Sequence, residues 1–110
     1  MKPPARGEVW LVDLGMAAKV RPALVLSVPA EDVDRSLVTL IPHTTALRQS
    51  RFEAVVTAPF LKAGAFDAQG LVTVPTIRLI RPLGVLSSGQ LEPVERAVLH
   101  WLGFGSTRPS

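Results

Sequence analysis

Cysteine is absent from the 110 residues, so neither a disulfide framework nor a thiolate metal site is available and the fold must rest on packing alone. That absence fits a reducing cytoplasm, the expected location. Histidine is scarce: His43 and His100 lie far apart and share none of the spacings of metal-binding motifs, so neither a metal nor another cofactor is expected. No stretch approaches the roughly 20 apolar residues of a membrane span, and Met1 to Gly7 carries no long apolar run behind its charges. The chain therefore reads as soluble and unexported. A G-x-S-x-G elbow, a P-loop and a dinucleotide fingerprint are all missing, which leaves serine hydrolase, nucleotidase and oxidoreductase readings without support.

What is present points to one packed domain over residues 1–110. Hydrophobic residues make up 47% and the mean hydropathy is +0.31, too apolar for a disordered chain and suggestive of surface buried in a partner. A homodimer is the simplest such partner. The net charge of +3 and a pI near 10.2 favour an anionic ligand, and arginines far outnumber Lys2, Lys19 and Lys62. Guanidinium forks suit bidentate phosphate contact better than ammonium groups do.

Along the chain the dominant period is two, punctuated by proline and glycine. Glu8 to Leu14 reads as a first strand, Gly15 to Lys19 as a short turn, and Pro22 to Val28 as a second strand. Pro29 to Asp34 is a polar loop, Leu37 to Ile41 a third strand, and Phe52 to Thr57 a fourth. Pro59 to Gly70 is ambiguous, one helical turn and a loop. Leu71 to Val74 and Thr76 to Ile80 read as a strand interrupted by Pro75, which must mark an edge or a bulge. Leu83 to Leu86 is a last short strand. The period then changes: Ser87 and Gln90 have the spacing of a capping box, and Leu91, Val94, Val98, Leu99, Trp101 and Leu102 mark a helix face. Pro93 predicts a loose first turn before a firm helix from Pro93 to Leu102, closed by Gly103, with Ser106 to Ser110 frayed. Five or six short strands and one helix predict a mainly β fold, a small bent sheet or SH3-like barrel with a C-terminal helix.

Arg21 stands out within this frame. Pro22 pushes it towards extended geometry at a strand entrance. If the second and third strands pair, Arg21 meets the adjacent hydroxyls of Thr44 and Thr45 on one sheet surface, a place to hold a phosphate. His43, beside Thr44, points to the opposite face of an extended strand, which favours a packed or exposed histidine over a catalytic one. Glu8, Asp13 and Glu53 lie in strands and read mainly as partners of nearby arginines. Trp10 reads as core or interface.

The segments Arg6-Gly7-Glu8-Val9-Trp10-Leu11-Val12-Asp13, Val20-Arg21-Pro22-Ala23-Leu24-Val25-Leu26-Ser27, Ile41-Pro42-His43-Thr44-Thr45 and Leu83-Gly84-Val85-Leu86-Ser87 before a terminal helix resemble the MazF/PemK toxins of bacterial type II toxin-antitoxin systems. The resemblance covers nearly the whole chain, in order. It implies an SH3-like barrel of the MazF/CcdB/Kid type, a homodimer, and a sequence-specific, metal-independent endoribonuclease acting on single-stranded RNA, commonly mRNA. It also implies a small cognate antitoxin whose tail occupies the RNA groove. Carried over by residue, the family's arginine before proline matches Arg21 and its threonine after the third-strand proline matches Thr44, with Thr45 and His43 as possible support. Arg48, Arg51, Arg78 and Lys19 are the candidates to track the RNA backbone.

The chain departs from the family pattern in two places. Its loop from Gly15 to Lys19 is short and nearly without polar side chains, which implies a more open site. Where many members carry an acidic residue and glutamine in the fifth strand, this chain has Pro75-Thr76-Ile77-Arg78, which implies that the carboxylate is lost. Two alternatives on the same fold stay open: a CcdB-like toxin that binds gyrase, and a non-catalytic SH3-like module in which Arg21 merely pairs with Glu8 or Asp13.

Overall fold

Seven antiparallel strands and one helix make up the computed structural model, which describes residues 3–15 and 19–105. In chain order they are β1 (Glu8–Asp13), β2 (Val20–Val25), β3 (Leu37–Thr44), β4 (Glu53–Val55), β5 (Ala65–Asp67), β6 (Val72–Pro75), β7 (Leu79–Val85) and α1 (Ser88–Leu102). The sheet order is β4-β5-β3-β2-β1-β7, and β6 pairs β3 off that path. The mainly β, barrel-like sheet with a C-terminal helix is the expected class, with more strands than the alternation predicts.

The long strand β3 organises the sheet. Its first half, Leu37 to Leu40, pairs β6, while His43 and Thr44 pair Phe66 and Ala65 of β5. Between the two partners lies Pro42, which has no N–H to donate. β3 thus changes partner along its length, and both faces of the sheet carry buried residues. Val9, Leu24, Ile41 and Phe66 look towards Val94, Ala97 and Val98 of α1, while Trp10, Val12, Ala23, Val25, Val38 and Leu40 form a second core against Val72, Val74 and Leu79. This explains the unbroken apolar run Ala23-Leu24-Val25: alternation survives, but both faces need apolar residues.

Several boundaries differ from the sequence reading, each for a local reason. Strand β2 begins at Val20 rather than Pro22, because Val20 and Arg21 pair Asp13 and Val12 of β1. It stops at Val25 rather than Val28, where the Ser27 hydroxyl accepts the Thr39 N–H at 3.0 Å in place of a ladder carbonyl. Strand β3 runs on past Ile41 to Thr44 because β5 offers it a new partner. That partner comes from the ambiguous Pro59 to Gly70 stretch, where three residues are too few to show a period; the expected turn follows as a 3₁₀ turn, Ala68–Gly70. Strand β4 is confined to the three residues that face β5. Pro75 ends β6 opposite Leu37, Thr76–Arg78 forms a 3₁₀ turn rather than strand, and Leu79 to Val85 is one strand with two register shifts against β1.

The helix is firmer at its start than Pro93 suggests. Ser87 and Gln90 form the full capping box, and Leu91 N–H reaches Ser87 O at 2.9 Å, so α1 is regular from Ser88 with Pro93 inside it. Gly103 closes it in the left-handed region at φ 81°. No helix among the described residues is long and apolar enough to cross a membrane. The expectation of a frayed tail from Ser106 onward falls outside the described residues, as does that for residues 16–18 of the short loop.

Candidate active site

Strands β2 and β3 pair through Ala23 with Pro42, Leu24 with Ile41 and Val25 with Leu40. Arg21 and Thr44 each lie two residues beyond the last of these pairs, Ala23 with Pro42, and so take that pair's face by alternation. Cross-strand partners share a face, so the cation and the hydroxyl project to the same side. Both line a groove of about 580 Å³ together with Pro42, Ala46, Arg48, Ser50, Glu53, Asp67, Gln69 and Trp101. The groove thus has Arg21 and Thr44 in its lining together.

The loop after β3 orients the threonine. Ala46 N–H donates to Thr44 Oγ1 at 3.0 Å, which engages the oxygen as an acceptor and leaves the hydroxyl proton to donate elsewhere. The loop itself is tied down by Glu53 on β4, whose carboxylate accepts Arg48 N–H at 3.2 and 3.1 Å and Ser50 N–H at 3.0 Å. The Arg48 amide is the main influence holding the Glu53 carboxyl below its usual range. Glu53 therefore serves the Arg48 backbone, and Arg48 lines the groove beside it.

Glu53 pairs Asp67 directly across β4 and β5, so two carboxylates face the Arg21 groove. Asp67 Oδ1 accepts Gln69 N–H at 3.1 Å. Asp67, Gln69 and Trp101 were not singled out from the sequence, and the only local signal is Asp67-Ala68-Gln69, a carboxylate and an amide two residues apart. Glu8 and Asp13, the alternative partners of Arg21, are engaged elsewhere. Glu8 Oε1 accepts Ala5 N–H and Trp10 Nε1–H, both at 2.9 Å, while Asp13 Oδ1 accepts Gly15 N–H and alternation points it away from the Arg21 face.

The remaining candidates separate. His43 is 4% exposed, with its ring 5.1 Å from Phe66 at 73° and no hydrogen-bond partner for Nε2, yet it still borders Arg21, Thr44 and Thr45 in a groove away from Trp101. Burial pushes its imidazole down from the ordinary value. Thr45 is exposed and lines a second groove, of about 490 Å³, that also takes in Arg21, Thr44, Lys62 and Arg81. Lys62 and Arg81 went unnoticed as candidates because only tertiary structure brings them to the strand ends. Arg51 lies away from the Arg21 groove, with its guanidinium 4.6 Å from the Phe52 ring centre. Arg78 sits on its 3₁₀ turn beside Gly15, where a Cβ would stand 3.2 Å from Nη1. Lys19 is exposed, just ahead of β2, with φ 53°. Among the described residues no three His, Asp or Glu side chains cluster as metal ligands do.

A family model for the PemK-like, MazF-like toxins of type II toxin-antitoxin systems matches residues 5–102. The chain belongs to this family. It is 30% identical to Endoribonuclease MazF9 of Mycobacterium tuberculosis (strain ATCC 25618 / H37Rv) over 108 residues, covering 84% of this chain and 91% of that protein. Among solved structures it resembles MazF of Deinococcus radiodurans, with 25% identity, a TM-score of 0.79, and coverage of 94% of this chain and all of the other. A mycobacterial endoribonuclease in complex with its cognate antitoxin gives 23% identity and a TM-score of 0.80, over 94% of this chain and 98% of that one. In this toxin, then, Arg21 and Thr44 occupy one groove on a fold shared with MazF proteins.

Proposed function

We propose that this toxin is a sequence-specific endoribonuclease that cuts single-stranded RNA, mRNA above all, by attack of a 2′-hydroxyl on the adjacent phosphorus. The observation that carries the reading is that Arg21 and Thr44 line one groove that also holds Arg48. Arg21 offers two directed donors to the non-bridging oxygens and Thr44 a third, so the charge that develops on the pentacoordinate phosphorus meets preorganised donors. The O2′–P bond forms as the P–O5′ bond breaks. The 2′ proton leaves to a base, a proton returns to the 5′ oxygen, and the fragments carry a 2′,3′-cyclic phosphate, or the 3′-phosphate it opens to, and a 5′-hydroxyl.

Arginine, with its pKa above about 12, is a poor base at neutral pH, so Arg21 acts first as an electrostatic clamp. Glu53 is engaged by the amides of Arg48 and Ser50 and holds the loop that carries Arg48. Thr45 and Lys62 support the flanking strand from the second groove. His43, buried with its ring against Phe66, packs rather than reacts. The catalytic scheme draws on no metal. A protein antitoxin neutralises the toxin by covering the same groove, as suits a relative solved with its cognate antitoxin. The toxin works in the cytoplasm, where mRNA is, as a homodimer that covers the exposed Leu99, Leu102 and Phe104 at the end of α1.

The test is incubation of the purified protein with a long single-stranded RNA in EDTA, followed by mapping of the ends. Cleavage leaving 5′-hydroxyl ends, abolished in Arg21→Ala, is expected. No cleavage, or undiminished cleavage by Arg21→Ala, would remove the assignment.

A further inference from the structure

Trp101 is a large aromatic left 43% exposed in the last turn of α1, and it lines the Arg21 groove. Its position is set by Phe52, which is 8% exposed and meets the indole edge-on, with ring centres 5.2 Å apart at 61°. Helix α1 packs against the 3₁₀ turn Ala68–Gly70, which brings Gln69 and the preceding Asp67 to the same wall. The groove thus holds phosphate-binding cations at one side and an anchored aromatic with a carboxylate and an amide at the other.

We propose that Trp101 is the stacking platform for the nucleobase next to the scissile phosphate, with Asp67 reading an amino group on that base's edge. The inference rests on the endoribonuclease reading and names the part of the site that selects sequence. Every base has a π-face, so the indole supplies affinity with little discrimination. Discrimination comes from Asp67: Oδ1 already accepts Gln69 N–H, and the carboxylate keeps acceptor capacity for an exocyclic amino group, as carboxylates use on cytosine N4. Glu53 already accepts the amides of Arg48 and Ser50, on both of its oxygens, and so has less capacity left for a base. Bases with an amino group (cytosine, adenine, guanine) are therefore favoured over uracil at this position. Gln69, exposed at the rim, adds an amide that can pair with the remaining base edge.

Binding and cleavage are measured separately. Single-stranded oligonucleotides with 2′-O-methyl groups throughout cannot supply the nucleophile, so they report binding alone. Only two tryptophans are present, and Trp10 is 8% exposed in the opposite core, so quenching of tryptophan fluorescence by the oligonucleotide reports Trp101. Trp101→Leu, which keeps apolar bulk but cannot stack, is expected to abolish the quenching and weaken binding about tenfold or more, while Trp101→Phe keeps most of the affinity. Asp67→Asn, which preserves an acceptor for Gln69 N–H, is expected to reduce the preference for amino-bearing bases over uracil in a randomised RNA library. Equal binding by Trp101→Leu and wild type overturns the inference, as does a Trp101→Leu protein that sediments at half the wild-type mass, because the side chain would then serve an interface. An unchanged base preference in Asp67→Asn overturns the role of the carboxylate. If wild type fails to cut RNA in EDTA, the endoribonuclease reading itself fails; if it cuts in an Arg21-dependent way while Trp101→Leu binds normally, only the present inference falls.

Discussion

Thr44→Val separates a structural hydroxyl from a catalytic one. Valine keeps the β-branched shape at a half-buried strand position, so β3 should persist to its end. The Ala46 N–H loses its acceptor, but it is exposed and water replaces it, so the cost to the fold is below about 0.5 kcal/mol. The cost to the reaction is larger. Loss of one preorganised donor to developing charge typically removes about 10²–10³ from kcat, or about 2.7–4 kcal/mol. The groove is open to solvent and the donor is neutral, so the lower end, about 100-fold, is expected here. Single-turnover cleavage of a single-stranded RNA in EDTA reads the rate, and a thermal melt of the same sample reads the fold. Thr44→Ser, which keeps the hydroxyl, should retain most of the activity. Cleavage by Thr44→Val within about threefold of wild type would refute the donor role, since so small a loss is below what any directed donor contributes. Equal inactivity of the serine and valine variants would refute it too, by showing that shape rather than the hydroxyl matters.

Two further perturbations address the scaffold. His43→Met replaces a buried imidazole whose Nε2 has no partner, so it should be neutral or stabilising by about 1 kcal/mol in chemical denaturation. Because burial lowers the His43 pKa in the native state, the unfolded chain binds the proton more readily. Wild-type stability is therefore full above about pH 6.5 and falls as pH drops below it, by at most about 1.4 kcal/mol per unit, and His43→Met should flatten that slope. A slope that survives the substitution would assign it elsewhere. Gly64→Ala tests the close approach behind Thr44: its Cβ would lie 2.2 Å from the Thr44 carbonyl oxygen and 2.8 Å from the His43 ring, so backbone must move. A loss of about 1–3 kcal/mol in stability is expected, with reduced cleavage from a displaced strand end, and an unaltered melt would contradict the packing.

How far the sequence reaches depends on the distance over which its signals act. The capping box at Ser87 and Gln90 was legible because its two bonds span three residues and need no tertiary partner. β1, the middle of β2 and the start of β3 were legible because each is long enough to show alternation. Strand β5 was not: Ala65 to Asp67 is a strand only because it lies between β4 and the end of β3. That pairing also carries β3 through Pro42 to Thr44 and so completes the site.

The residues of the groove divide in the same way. Arg21 and Thr44 could be named in advance because Arg21 directly precedes Pro22, Thr44 follows Pro42 by two residues, and one assumption, that β2 and β3 pair, brings those strand ends together. Alternation also predicts that His43 leaves the face of Thr44, and its ring does pack against Phe66. By contrast, Asp67, Gln69 and Trp101 reach Arg21 from β5, a 3₁₀ turn and the last turn of α1, and no local pattern encodes three elements meeting at one wall. Arg51 and Arg78 carry the same charge as Arg48, yet Arg51 lies over Phe52 and Arg78 beside Gly15, while Arg48 reaches the groove on a loop held by Glu53. Sequence alone thus determined which residue types and which strand faces this toxin has, because propensity and alternation act within a few residues. Tertiary structure alone decided which charges share a cavity with Arg21, because register, strand bending and helix docking sum contacts far apart in the chain.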